Sequence, residues 1–241
     1  MTSIHIRNGR FSDLAAISKV MSLAFFDDPF FGEIVHPNRK QYPEDFALYW
    51  LRRAHVNFWD YRWRWLVAVE QRESGEEEIV GIAQWERMGK GGGRMECGWW
   101  DPRSYLSSLA SLIISIHALI KPSRAVNPEC EDALERAYLV FGNVWSGDRA
   151  EVWYLEWLAV HPDHQGKGIG KQLAQTGLQW AEEEGVWASV ASAAGKEAFY
   201  RDKCGFDEEY YAANMGEGNP LADLGPGATG RMFWKRPKKL L

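Results

Sequence analysis

Three glycines on alternate positions, Gly166, Gly168 and Gly170, lie between Gln165 and Lys171 in the run His161-Pro162-Asp163-His164-Gln165-Gly166-Lys167-Gly168-Ile169-Gly170-Lys171. Beyond them Ile169, Leu173, Thr176, Gly177 and Trp180 recur at helical spacing, so the turn opens a helix. The first amides of a helix have no internal partner and sit at the positive end of its dipole. Glycines let a ligand reach that bare backbone. The stretch is therefore an anion site suited to a phosphate or pyrophosphate, with Lys167 and Lys171 adding positive charge. A Walker loop fails here, because the position five past Gly166 is Lys171. The dinucleotide fingerprint fails as well, because its third glycine would also fall on Lys171. The pattern that remains is Gln-x-x-Gly-x-Gly. His161 and His164 flank the turn with no further ligand in register, so no metal is expected.

A strand must feed this turn. Tyr154 to Val160 is apolar and aromatic enough for a buried one, and Pro162 stops it. Period-two alternation puts Glu156 on one face with Tyr154, Leu158 and Val160. Upstream, Ser3–Arg7 reads as a first strand, followed by a helix capped by Ser12 with Leu14, Ile17, Met21 and Ala24 on one face. That helix ends before Asp27-Asp28-Pro29-Phe30-Phe31. A second helix starts at Pro43, its apolar face made by Ala47, Leu51, Ala54 and Phe58. Trp63–Glu70 and Ile79–Glu86 form a hairpin turned at Ser74-Gly75-Glu76. About 60 residues then separate this hairpin from the central strand, more than a structureless loop should hold. This insertion, about 88–148, opens on Gly89–Gly93, expected to be a flexible hinge or loop tip. Tyr105, Leu109, Leu112, Ile113, Ile116 and Leu119 mark one inserted helix. A second has Asn127 as cap, Pro128 at its first position, and Ala133, Leu134, Ala137, Tyr138 and Phe141 on one face. The pair is expected to pack on the sheet, with a substrate lid hinged near the glycines as a compatible role. After the central helix, Gly185 is a stop, Val186–Ala191 a strand, Lys196–Lys203 a short helix, and Phe206–Ala213 and Thr229–Lys235 strands around a loop, Asn214–Gly227.

The chain has 241 residues, 46% hydrophobic and 25% charged, which is ordinary globular composition for one good core. A net charge of -5 argues against nucleic acid or an anionic membrane as main partner, and the basic run 235–239 reads as a solvated terminus. Cys97, Cys130 and Cys204 are too few and too scattered for a disulfide framework. The first residues do not read as a signal peptide, no membrane-length apolar run is evident, and a cytoplasmic location is expected. The unusual count is 13 Trp, which suit either a core or an aromatic ligand pocket.

Two phrases resemble the GNAT acetyltransferase superfamily: Leu158 through Gly170, and Gly195-Lys196-Glu197-Ala198-Phe199-Tyr200 through Cys204-Gly205-Phe206. Many members have Asn before the second phrase. This chain has Ser192-Ala193-Ala194, nearer to a fungal small-molecule acetyltransferase group. The resemblance implies an α/β (α+β) GNAT fold in a single domain over 1–241: a central mixed β-sheet flanked by helices, with the helical insertion between the third and fourth strands. It implies acetyl-CoA as co-substrate and direct transfer of acetyl to an amine. Acetyl-CoA would be held by Leu158, Ala159, Val160, Gln165, Gly166, Lys167, Gly168, Ile169, Gly170, Lys171 and Ser192. Glu156 would be the base, directly or through water, with Glu151 and Asp148 as weaker candidates, and Tyr200 the acid for the departing thiolate. Trp85, Trp99, Trp100, Trp145, Trp153 and Trp157 fall on the side where the family holds its acceptor, which suggests an aromatic or xenobiotic amine, though they could equally fill the core. The expected partner is a small-molecule amine, without nucleic acid or membrane, in a monomer or homodimer. A non-catalytic acyl-CoA sensor, a peptide acetyltransferase and a scaffold for the insertion stay open as alternatives.

Overall fold

The computed structural model describes residues 4–72, 75–225, 228 and 230–238. Ser3, Ser74, Gly227, Thr229 and Lys239, assigned above to a strand, a turn, a loop, a strand and the tail, lie outside the described residues.

Among the described residues, seven strands form one sheet in the order β1-β2-β3-β4-β5-β7-β6. They are β1 (Ile4–Asn8), β2 (Trp63–Gln71), β3 (Glu77–Met88), β4 (Val152–Val160), β5 (Trp187–Ala191), β6 (Glu208–Ala212) and β7 (Arg231–Lys235). Only β4 and β5 pair in parallel; every other neighbouring pair is antiparallel. The helix that follows the glycine turn, α6 (Ile169–Glu184), covers one face and packs Ile169, Leu173, Ala174 and Leu178 against Trp85, Trp153 and Leu155. The other face carries α1 (Leu14–Ala24) and α2 (Pro43–Phe58) over Val67, Ile82, Trp157 and Ala159. A third core, around Phe141, Trp145, Tyr154 and Trp234, joins the insertion to the C-terminal strands. This mixed α/β architecture is the one expected.

Several local expectations are corrected. Ser12 makes no cap: a short 3-10 turn, Phe11–Asp13, precedes α1, and the Asp13 carboxylate accepts the Arg10 N–H at 2.7 Å. The buried face of α2 is Phe46, Tyr49, Trp50 and Ala54, rotated from the expected stripe, and it also buries Asp45, which pairs with Arg124 at 2.8 Å. The first helix ends at Ala24, before Asp27 as expected, but Pro29 does not stop it; it opens a π-helical turn, Pro29–Val35, capped by Asp28. The closing helix is likewise a π-helical turn, Phe199–Cys204.

The insertion departs furthest. Gly89–Gly93 is no loose hinge. It winds into α3 (Gly89–Met95), whose start is held by Glu151: one carboxylate oxygen accepts the Lys90 N–H at 2.6 Å, the other the Gly91 N–H at 3.0 Å and the Arg87 guanidinium at 2.9 Å. Glycine is required at position 92, where a Cβ would collide with the Arg87 backbone carbonyl. The next helix, α4 (Leu106–Ile120), buries none of its residues and touches α2 rather than the sheet. With the short turn before it, Pro102–Ile120 is long and apolar enough to cross a bilayer by length and composition, contrary to the expectation from sequence. Only α5 (Ala133–Phe141) packs as expected, on Ala133, Ala137 and Phe141. The Asn127 side chain accepts from Glu129 N–H at 3.2 Å, yet the regular helix begins later than Pro128 because residues 130–132 are a turn.

Candidate active site

β4 and β5 are in register only from Val152↔Trp187 to Leu155↔Val190. Past that point, among the described residues, the strands part, and β4 keeps a neighbour only in β3, through Val160↔Gly81. Glu156 sits where they part. The β3–β4 register passes from Trp85↔Leu155 to Gln84↔Trp157, so Glu156 is the extra residue of a β-bulge. The bulge breaks the alternation assumed from sequence. Tyr154 packs in the core shared with α5, whereas Leu158 and Val160 pack on the α6 side with Trp153 and Leu155. Glu156 therefore does not share one face with all three.

A cavity of about 540 Å³ opens at this divergence. One part is lined by the glycine turn and the start of α6: Gln165, Gly166, Gly168, Ile169, Gly170 and Lys171, with Leu158, Ala159 and Val160 of β4 beside them. Gly166 (φ 77°) and Gly168 (φ 81°) are left-handed, and a Cβ at either would meet nothing within 4 Å. Their backbone is thus open to a ligand, as an anion cradle needs. Gln165 braces the turn by donating to the Val160 carbonyl at 3.1 Å. Lys167 is not on the cavity wall; its Nζ lies 3.5 Å from His164 Nδ1. Lys196 and Lys203 join Lys171 on the wall, cations that sequence reasoning passed over because a short helix surface usually carries such residues. Ser192 lines the cavity but its Oγ accepts the Arg231 N–H at 3.0 Å, so part of its capacity clamps β5 to β7.

The other part of the wall is aromatic: Phe25, Phe30, Phe31, Tyr138, Phe141, Tyr154 and Trp157. Of the six Trp singled out above, only Trp157 is among them. Trp85 and Trp153 lie under α6, Trp145 donates to Ser189 Oγ at 2.9 Å, and Trp99 and Trp100 are 78% and 75% exposed. The aromatic pocket exists, but Phe from the π-helical turn and Tyr from α5 build most of it.

Glu156 faces this wall. The Tyr138 hydroxyl donates to its Oε2 at 2.6 Å and lies 2.8 Å from the Tyr154 hydroxyl. Burial raises the Glu156 pKa; the Tyr138 hydrogen bond and the positive Arg53 pull the other way. Arg53, on α2, is paired with Glu135 of α5 at 2.6 Å and donates to the Tyr49 hydroxyl at 2.9 Å. Burial lifts the Tyr138 and Tyr154 hydroxyls well above their usual range, with the Glu156 charge adding to it, so both remain donors. Tyr200, 9% exposed, lines the same cavity, and its hydroxyl has no hydrogen-bond partner among the described residues. Its pKa is raised by burial, so it stays protonated. Glu151 is committed to α3, and Asp148 is exposed away from the cavity. The cavity also contains Asp28, which sequence reasoning missed; its Oδ1 accepts from Phe30 and Phe31 N–H at 3.0 and 2.8 Å. Among the described residues, no group of three or more His, Cys, Asp or Glu could hold a metal ion.

Residues 136–206 match the model of the Acetyltransferase (GNAT) family. Solved structures share the fold over nearly the whole chain. One is described as histone acetyltransferase HPA2 and related acetyltransferase from Corynebacterium glutamicum, 19% identical, covering 98% of this chain and 97% of that one, at a TM-score of 0.55. Another is an agmatine N-acetyltransferase, 13% identical, covering 97% and 99%, at 0.51. A third is arylalkylamine N-acetyltransferase 2 from Aedes aegypti, 14% identical, covering 97% and 99%, at 0.50. At such identities the likeness speaks for the fold.

Proposed function

We propose that the protein is an acetyl-CoA-dependent N-acetyltransferase acting on the amine of a small aromatic or apolar molecule, of the kind its Ser192-Ala193-Ala194 segment suggested. The observation that supports this most is that a buried carboxylate, Glu156, and a glycine-built anion cradle open on one cavity. Acetyl-CoA fits the residues present. Gly166 to Lys171 would take its phosphates on bare amides, with Lys196 and Lys203 as added cations. The free edge of β4 from Glu156 to Val160 would offer N–H and C=O groups to its amide-bearing arm. Acetyl-CoA supplies the acetyl group as a thioester.

An amine with a pKa of about 10 is protonated at neutral pH and must lose a proton to attack. Glu156 accepts that proton, directly or through water, and its raised pKa brings it nearer to the working range of a base. A β4 amide on the open edge can donate to the carbonyl oxygen as it gathers charge. Tyr200 gives its proton to the sulfur as the carbon–sulfur bond breaks and the nitrogen–carbon bond forms. Phe25, Phe31, Phe141 and Trp157 would hold an apolar amine beside Glu156 and exclude water.

The test is free-thiol release by the purified full chain with acetyl-CoA and a panel of amines. Release that depends on an arylalkylamine is the expected result. Turnover only with polyamines or aminoglycosides would overturn the acceptor class. Stabilisation by acetyl-CoA with no turnover across the panel would favour a sensor. Neither turnover nor stabilisation would remove the cradle assignment itself.

A further inference from the structure

Among the described residues, nine of the fourteen exposed large apolar side chains fall between Trp99 and Ile120. The helix they belong to is turned inside out. Leu109, Leu112, Ile113, Ile116, Leu119 and Ile120 recur at helical spacing on its outward face, each between 48% and 83% exposed. The inward face, marked by His117, meets α2, where the Arg52 guanidinium donates to the carbonyls of His117 and Lys121 at 3.3 and 2.6 Å. This orientation is tied down at both ends. At the start, the Tyr105 hydroxyl donates to the Trp99 carbonyl at 3.0 Å and Arg103 lies over the Tyr61 ring. At the end, Arg124 pairs with Asp45 at 2.8 Å.

We propose that the outward face of α4, with Trp99 and Trp100 at its root, rests on the surface of a lipid bilayer bearing anionic headgroups. Three observations select this occupant. The first is charge. From Leu106 to Ile120 the helix carries no Asp, Glu, Lys or Arg, and exposed Lys121 follows it directly. Glu96, Asp101 and Asp45 are each in an ion pair with an arginine, Arg62, Arg103 and Arg124, and Glu131 acts on the Arg52 guanidinium that holds the inward face. The second is the aromatic pair: two exposed indoles, ring centroids 6.0 Å apart, beside an exposed tyrosine suit the headgroup boundary, where a ring is half apolar and half wet. The third is size. A helix of this length offers a stripe about 22 Å long and roughly 10 Å across. That is small beside the roughly 800 Å² per partner of a stable dimer, whereas a bilayer needs only the stripe. Because both ends stay tied to the domain, the helix lies in the plane of the interface and does not cross it.

Flotation of the full chain with phosphatidylcholine vesicles, with and without phosphatidylserine, tests this. The chain should float with the mixed vesicles, less with phosphatidylcholine alone, and less as salt rises. Leu112→Asp combined with Ile116→Asp should cut the partition coefficient by roughly tenfold or more. Both sites are solvent-exposed, so the thermal transition and the turnover of a soluble amine should persist. Trp100→Ser, a milder change outside the helix, should weaken flotation in the same direction. The proposal is overturned if the protein stays with the unbound fraction for both vesicles, or if parent and variants float alike. It is equally overturned if sedimentation shows a dimer that Ile116→Asp dissociates while no vesicle is bound.

Discussion

Removing one hydroxyl from α5 should move the pH dependence of the reaction. Tyr138 donates a 2.6 Å hydrogen bond to the Glu156 carboxylate, and that bond favours the ionised form against the effect of burial. A hydrogen bond to a charged group contributes about 1.5–3 kcal/mol. At about 1.4 kcal/mol per pH unit, Tyr138→Phe should raise the Glu156 pKa by roughly 1–2 units. The groups that face Glu156 from the other elements are left in place: Tyr154 on β4, Arg53 on α2, Glu86 on β3, and Glu135 on α5 itself. A base works only when deprotonated. The acid limb of kcat/KM should therefore shift upward by that interval, lowering the rate roughly 10–100-fold below the limb and little on the alkaline plateau. Thiol release with a fixed amine, from about pH 5.5 to 9.5, reads this directly. An unmoved limb would refute the charge-partner reasoning. A uniform fall at every pH would mean that Tyr138 acts by packing alone.

Glu156→Gln should lower kcat about 10²–10⁴-fold, and Tyr200→Phe should lower kcat with little change in KM for the amine; full activity in either variant would remove its assigned role. Gly168→Ala meets no side chain but places a Cβ on a φ of 81°, so KM for acetyl-CoA should rise several-fold while the fold survives; an unchanged KM would place the phosphates elsewhere. Gly177→Ala would drive a methyl into the Trp85 ring and should cost about 1–3 kcal/mol, seen as a lower Tm. Glu86, pushed up to about 7 by burial, binds a proton in the folded state that the unfolded chain has released above its ordinary value of 4.5. Stability should therefore fall as pH rises from about 4.5 to 7 and then level off, and Glu86→Gln should flatten Tm across that window.

The glycine turn and the helix after it were legible because their causes are local. A left-handed glycine and an unpaired first turn need no distant partner. The strands followed from apolar patterning between turn signals, and the mixed sheet from the resemblance. What stayed hidden depends on non-local register. The bulge at Glu156 is set by how Gln84 and Trp85 pair across the ladder, and it reassigned the faces of Leu158 and Val160. Tyr138 was placed on the correct helix face, but nothing in its spacing says that a residue on α5 will meet Glu156. The six Trp were judged by position in the chain, whereas their sides of the sheet depend on pairing, and only Trp157 reaches the cavity. The apolar stripe of α4 was read correctly as a pattern and wrongly as a buried one, since periodicity says which residues share a face and not what that face meets.

The parting of β4 from β5 leaves a length of sheet edge inside the molecule instead of at its rim. An edge exposed to solvent invites pairing with other chains, and here the protein folds its own walls around it. A ligand whose arm runs along Glu156 to Val160 would act as a short additional strand, and its affinity would be counted as folding stability. At a ligand concentration of 100 times Kd that gain is about 2.7 kcal/mol. The backbone amides of this half-strand should exchange with deuterium faster than those of Val152–Leu155 in the free protein, and should slow when the gap is bridged. The central strand would then be half finished by folding and half finished by its ligand.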